Sequence, residues 1–156
     1  MDVSITATSA NGSQNNPLNI YFAGDGFGPT SAAWLARMTG QLVAGTGANV
    51  GLNTYYNSGN AVSSLGASLP AGSTLLTASG NIPEPNYANT QMGAPVTLAS
   101  PYSLIELVTI NGGSLGGQYS LDASLVTTAT VPDGGTTAML LGAALSVLGL
   151  IRRKLA

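Results

Sequence analysis

Tyr102-Ser103-Leu104-Ile105-Glu106-Leu107-Val108-Thr109-Ile110 is the stretch on which the fold turns. Its Leu, Ile and Val fall on both alternating faces, and such a segment belongs at the centre of a sheet with material packed on either side. Just downstream, the Gly-rich run Asn111-Gly112-Gly113-Ser114-Leu115-Gly116-Gly117 leads into Tyr119-Ser120-Leu121-Asp122-Ala123-Ser124-Leu125, where apolar and polar residues alternate. Two strand-like runs around a glycine-rich loop predict a hairpin.

The same period of two recurs upstream. Val3, Ile5 and Ala7 alternate with hydroxyls, as do Leu18, Ile20 and Phe22 with their neighbours, and Val50, Leu52, Thr54 and Tyr56 share a further face. Ser73-Thr74-Leu75-Leu76-Thr77-Ala78 is a compact apolar run of strand length. One segment departs from this grammar. Thr30 or Ser31 is placed to cap Ala32-Ala33-Trp34-Leu35-Ala36-Arg37-Met38, with Trp34, Leu35, Met38, Leu42 and Gln41 near one face and Gly45 as the stop, which predicts a short helix. Short strands separated by Gly, Asn and Pro clusters predict an all-β fold over residues 1–130, an antiparallel, jelly-roll-like β-sandwich carrying that one helix. No repeat at a fixed period suggests a solenoid.

The chain has 156 residues, enough for one ordinary domain and a short appendage. Only 6% are charged, against roughly a quarter in an average soluble domain. There is no His and no Cys, which excludes Ser-His-Asp and Cys-His catalysis, zinc held by those ligands, thiol chemistry and disulfides. Before residue 134 a single cation, Arg37, faces all six acids, for a net charge of −5. A body of that sign has no basic stripe for phosphates, so a nucleic-acid partner is not expected.

Candidate chemistry is correspondingly sparse. Glu84 and Glu106 are the two carboxylates to weigh as an acid–base pair for glycan hydrolysis. Glu84 sits between Pro83 and Pro85 in an exposed turn, and Glu106 is expected to face solvent or pair with Arg37, so structural roles outweigh catalysis and no catalytic residue is assigned. Asp25 and Asp122 lie outside any dense acidic loop, so neither metal nor cofactor is assigned. Gly24-Asp25-Gly26-Phe27-Gly28-Pro29 superficially suggests a phosphate loop, but Pro29 stands where a dinucleotide fingerprint needs Gly and no Lys follows, leaving a plain turn. Tyr55-Tyr56, the adjacent pair among six tyrosines, are the candidate glycan contacts, and in a strand one of them must point outward.

The tail is more informative. From Gly134 to Ile151 runs an uncharged GGTTAMLLGAALSVLGLI, which as a helix spans roughly 27 Å, enough for a thin bilayer. Its few polar residues, Thr136, Thr137 and Ser146, share no face, which favours membrane insertion over a buried soluble helix. Arg152, Arg153 and Lys154 abut the run and, by the positive-inside preference, act as a stop-transfer cluster that leaves the body on the far side of the membrane. Immediately before the run, Val131-Pro132-Asp133-Gly134-Gly135 is a break that a protease can thread. The layout is therefore a body over 1–130, a motif at 131–135, a transmembrane helix over 136–151 and a basic cytoplasmic tail at 152–156.

This tripartite tail resembles the PEP-CTERM sorting signal, in its VPD-type variant, of bacterial exosortase substrates. The resemblance covers Val131 to Ala156 and, more softly, the preceding predicted hairpin. It implies that Val131, Pro132, Asp133, Gly134 and Gly135 form the recognition motif, and that the partner is a membrane-embedded exosortase-type transpeptidase that cuts near it. The implied destination is the cell envelope, first anchored through the C-terminal helix and then surface-exposed or extracellular, with exopolysaccharide as a further partner. Export also predicts a leader upstream of Met1, since Met1–Thr6 itself has neither a basic nor an apolar leader region.

Overall fold

The computed structural model describes residues 1–9, 17–45, 47–62, 68–111 and 117–128. Ten strands follow in chain order: β1 (Asp2–Ser9), β2 (Leu18–Phe27), β3 (Thr30–Gly45), β4 (Asn49–Asn57), β5 (Ser73–Ala78), β6 (Ile82–Pro83), β7 (Asn89–Met92), β8 (Val96–Leu98), β9 (Tyr102–Asn111) and β10 (Gly117–Thr128). They form two five-stranded antiparallel sheets. One has the order β1-β10-β3-β7 with β8 also on β3; the other has β2-β9-β4-β5 with β6 also on β4. The pairing is nested, first strand with last, second with next to last, which is how a jelly roll wraps one long folded ribbon into two sheets.

β9 takes the central place its sequence predicts, between β2 and β4. Its even-numbered residues Tyr102, Leu104, Val108 and Ile110 enter the core between the sheets, joined by Val50 and Leu52 of β4 and met by Trp34, Met38, Leu121 and Leu125 of the other sheet. The odd-numbered Ser103, Ile105 and Leu107 turn to the outside of the sheet yet remain buried. Alternation likewise places β1, β2, β4, β5 and β10 where the sequence puts strands.

Two expectations are overturned. Residues 32–38 form no helix, nor does any other stretch among the described residues; they lie within β3. Ala32, Trp34, Ala36 and Met38 face the core while Arg37 and Thr39 face out, a period of two masked by helix-favouring Ala, Leu and Met. Pairing along β10 on one side and β7 and β8 on the other outweighs those local preferences. Nor do β9 and β10 make a hairpin. β9 pairs with β2 and β4, β10 with β1 and β3, so consecutive strands pass to opposite sheets. Nested pairing leaves each late strand hydrogen-bonded to early ones rather than to its neighbour in sequence.

Candidate functional site

The outer surface of the β2-β9-β4-β5 sheet is built by register. Asn19 stands opposite Thr109, Tyr21 opposite Leu107, and Ala23 opposite Ile105, while across β9 Asn53 faces Leu107 and Tyr55 faces Ile105. All are odd-numbered on their strands and so share the face that points away from the core. Tyr55 is therefore the outward member of the tyrosine pair, and Tyr56 packs against the core. Tyr21, which the sequence alone does not single out, is brought to the same face; its alternation with Ile20 and Phe22 is the signal that marks it as outward.

Both rings are partly exposed, and they flank a floor in which Ile105 is fully buried. Burial, reinforced by the nearby Tyr21 and partly offset by a hydrogen bond with Asn53, pushes the Tyr55 hydroxyl above its usual range. Thr109 Oγ1 donates to Asn19 Oδ1 at 2.9 Å and fixes the amide at one edge of the face. At the opposite end the chain after β4 is tied over the sheet, because Asn57 Nδ2 donates to Ala71 O at 2.9 Å and Ser103 Oγ donates to Ala61 O. Leu75, paired with Tyr55, is half exposed beside it. Among the described residues at the outward positions of these strands the one acid is Asp25, exposed at the bulged end of β2 two residues beyond Ala23, and there is no base.

The carboxylates are not brought together. Glu106 neither faces solvent nor pairs with Arg37, which is exposed on β3. It is fully buried on the core side of β9, opposite Phe22 and Thr54, and neither carboxylate oxygen has a hydrogen-bond partner. Burial raises its pKa; the Met1 amine lowers it and Asp2 raises it further. Glu84 lies beyond the far end of β4, where Oε2 accepts from the Gly47 amide at 2.7 Å. Asn49 pairs with Pro83 and Thr54 with Glu106, so about 17 Å of strand separates the two carboxylates, more than any pair flanking a glycosidic bond. Asp25 and Asp122 are on different sheets, and no group of three potential metal ligands occurs among the described residues. The Gly26 amide is already taken by Asn60 Oδ1 at 2.8 Å, so the glycine-rich turn holds no anion cradle there.

An open cavity of about 340 Å3 lies at one end of the core beside Phe27, Trp34, Tyr102 and Leu125. Phe27 stacks on Tyr102 at 5.6 Å and Trp34 meets Tyr102 edge-on at 6.5 Å, so these rings mainly pack against one another across the two sheets.

Val131, Pro132, Asp133, Gly134 and Gly135, the run to Ile151 and the cluster Arg152, Arg153 and Lys154 lie outside the described residues. Among the described residues no helix is long and apolar enough to cross a membrane. Comparison with known proteins bears on this tail directly. Residues 130–155 match the VPDSG-CTERM motif, a PEP-CTERM-type sorting signal. Where the motif's name spells Val-Pro-Asp-Ser-Gly, residues 131–135 read Val-Pro-Asp-Gly-Gly. No curated protein matches the chain. Two solved structures of infectious bursal disease virus are similar over 85% of this chain: the Gt strain at 12% identity and a TM-score of 0.48, and the Gx strain at 15% and 0.41. The chain spans about a third of the length of each, 32% and 33%.

Proposed function

We propose that this chain is a non-enzymatic cell-surface or extracellular-matrix protein of a bacterium, whose β-sandwich is the cargo of its C-terminal sorting signal. The signal is consistent with an exported, envelope-associated protein. One observation carries the reading further. The matched segment starts at residue 130, two positions after β10 ends at Thr128, and β10 is an inner strand held between β1 and β3. A cut at 131–135 therefore leaves all ten described strands, with β10 still between β1 and β3, in the released part. The agent is an exosortase-type membrane transpeptidase that reads Pro132-Asp133. Gly134–Ile151 holds the substrate in the bilayer with Arg152, Arg153 and Lys154 in the cytoplasm.

The test is to express the chain behind a leader in a host with an exosortase and to separate membrane from surface and medium. The body is expected outside the membrane fraction, and replacing Pro132-Asp133 by Ala-Ala is expected to hold the full-length chain in the membrane. Equal distribution of both forms contradicts the reading and favours a plain tail anchor. Glycan contact is a second reading, favoured by the tyrosine-bearing outer face with its single acid, Asp25, at one end; hydrolysis has no support in the separated carboxylates.

A further inference from the structure

We infer that the outer face of the β2-β9-β4-β5 sheet is a binding site for a neutral polysaccharide chain, with Tyr21 and Tyr55 as its two stacking platforms. The inference rests on the surface reading above only for where the polymer is met. Tyr21 and Tyr55 lie two strands and two residues apart, on either side of Leu107 and Ile105. Strand spacing and rise put that diagonal at about 12 Å. The distance is longer than one sugar ring and suits non-adjacent rings of one extended chain. Each partly exposed ring offers an apolar surface to the C–H side of a sugar, and each hydroxyl can donate as well as accept.

The remaining groups on the face fit the same ligand. Asn53 lies two residues before Tyr55 on β4, across Leu107 from Tyr21, and Asn19 is oriented by Thr109. These amides present both donors and acceptors, the complement of sugar hydroxyls. The one acidic residue at the outward positions of these strands is Asp25, at the end of β2 beyond Ala23, no base stands there, and residues 1–133 carry a net charge of −5, so an anionic polymer is repelled and a neutral one is not. The buried Ile105 and Leu107 beneath give a floor that a flat ligand can cover but not enter.

Tyr56 is excluded from the site because its side chain packs into the core on the other side of β4. A specificity pattern follows: ring removal at Tyr21 or Tyr55 affects binding, whereas Tyr56→Phe, which keeps the core contact, does not.

The test is affinity electrophoresis of the full chain in mild detergent through gels containing neutral β-glucan, neutral mannan or the anionic hyaluronan. Retardation is expected with a neutral polymer and not with hyaluronan. Tyr21→Ala and Tyr55→Ala are each expected to weaken it at least tenfold, with Tyr55→Phe close to wild type. Ala23→Arg, at an exposed position on the same face, blocks the surface without removing a core contact and keeps the test valid if an alanine variant unfolds. Retardation by no neutral polymer overturns the inference. So does retardation unchanged by Ala23→Arg, or a dimer of the chain that Ala23→Arg dissolves, because the face is then occupied by a second copy. Electrophoresis uses purified protein, so its failure leaves the export experiment untouched, and failure of export leaves binding measurable.

Discussion

Replacing Glu106 by Gln should stabilise the protein near neutrality and leave it unchanged in acid. Glu106 is fully buried among the inward residues of β9, opposite Phe22 and Thr54, with both oxygens unpartnered. Burial raises its pKa above the ordinary 4.5, because the core tolerates the acid and not the anion; the Met1 amine opposes this and Asp2 adds to it. The native state then binds a proton that the unfolded chain has released. Stability therefore falls as pH rises from 4.5 towards the native value, by up to about 1.4 kcal/mol per pH unit. Even one such unit is a noticeable part of the total stability of an ordinary domain. Gln is close in shape and does not titrate, so it removes this cost while keeping a buried polar group. Glu106→Leu removes the polar group as well and should exceed Gln at every pH. The assay is urea unfolding from pH 4 to 7.5, followed by the fluorescence of Trp34, the single tryptophan, which is 2% exposed. The difference between wild type and Glu106→Gln should be near zero at pH 4 and grow with pH. A constant difference, or a Gln variant less stable at pH 7, refutes the buried-acid reasoning.

Three further outcomes are expected. At Gly40, on β3 opposite Leu121, a Cβ would lie 2.5 Å from both the Ser120 carbonyl oxygen and Leu121 Cδ2, so Gly40→Ala should cost about 1–3 kcal/mol in the same urea assay. The buried Thr54 and Thr77 hydroxyls bond each other at 2.7 Å, so Thr77→Val strands its partner at about 1–3 kcal/mol, and Thr54→Val with Thr77→Val should cost less than the two singles summed in a double-mutant cycle. Changing Arg152, Arg153 and Lys154 to Ser should loosen membrane orientation, read by protease protection of the body in spheroplasts.

The strands whose faces differ in polarity are legible from the sequence, and β9 is legible because both its faces are apolar. β3 is not, since Leu35 on its outer side and the alanines imitate a helical stripe, and only pairing on both edges settles the matter. The short β6, β7 and β8 have two to four residues each, too few for any period. Nested topology, set by contacts between the ends of the chain, also hides behind the hairpin-like run from β9 to β10. At the candidate site Tyr55 was legible but its partner was not, because the meeting of Tyr21 and Tyr55 depends on register across β9. The burial of Glu106 was readable in principle: it shares an alternating face with Leu104 and Val108, and its charge drew the reading towards solvent.

The central claim is that a complete sandwich is cut free from its sorting signal just after the last strand. Intact-mass analysis of the protein released by an exosortase-bearing host, from a chain supplied with a leader, tests it most directly. The account predicts a product that retains Thr128 and all ten strands and ends within the 131–135 motif, about 2 kDa lighter through loss of the helix-length segment and its basic end. A released product that still carries Arg152-Arg153-Lys154, or one that ends inside β10, contradicts it.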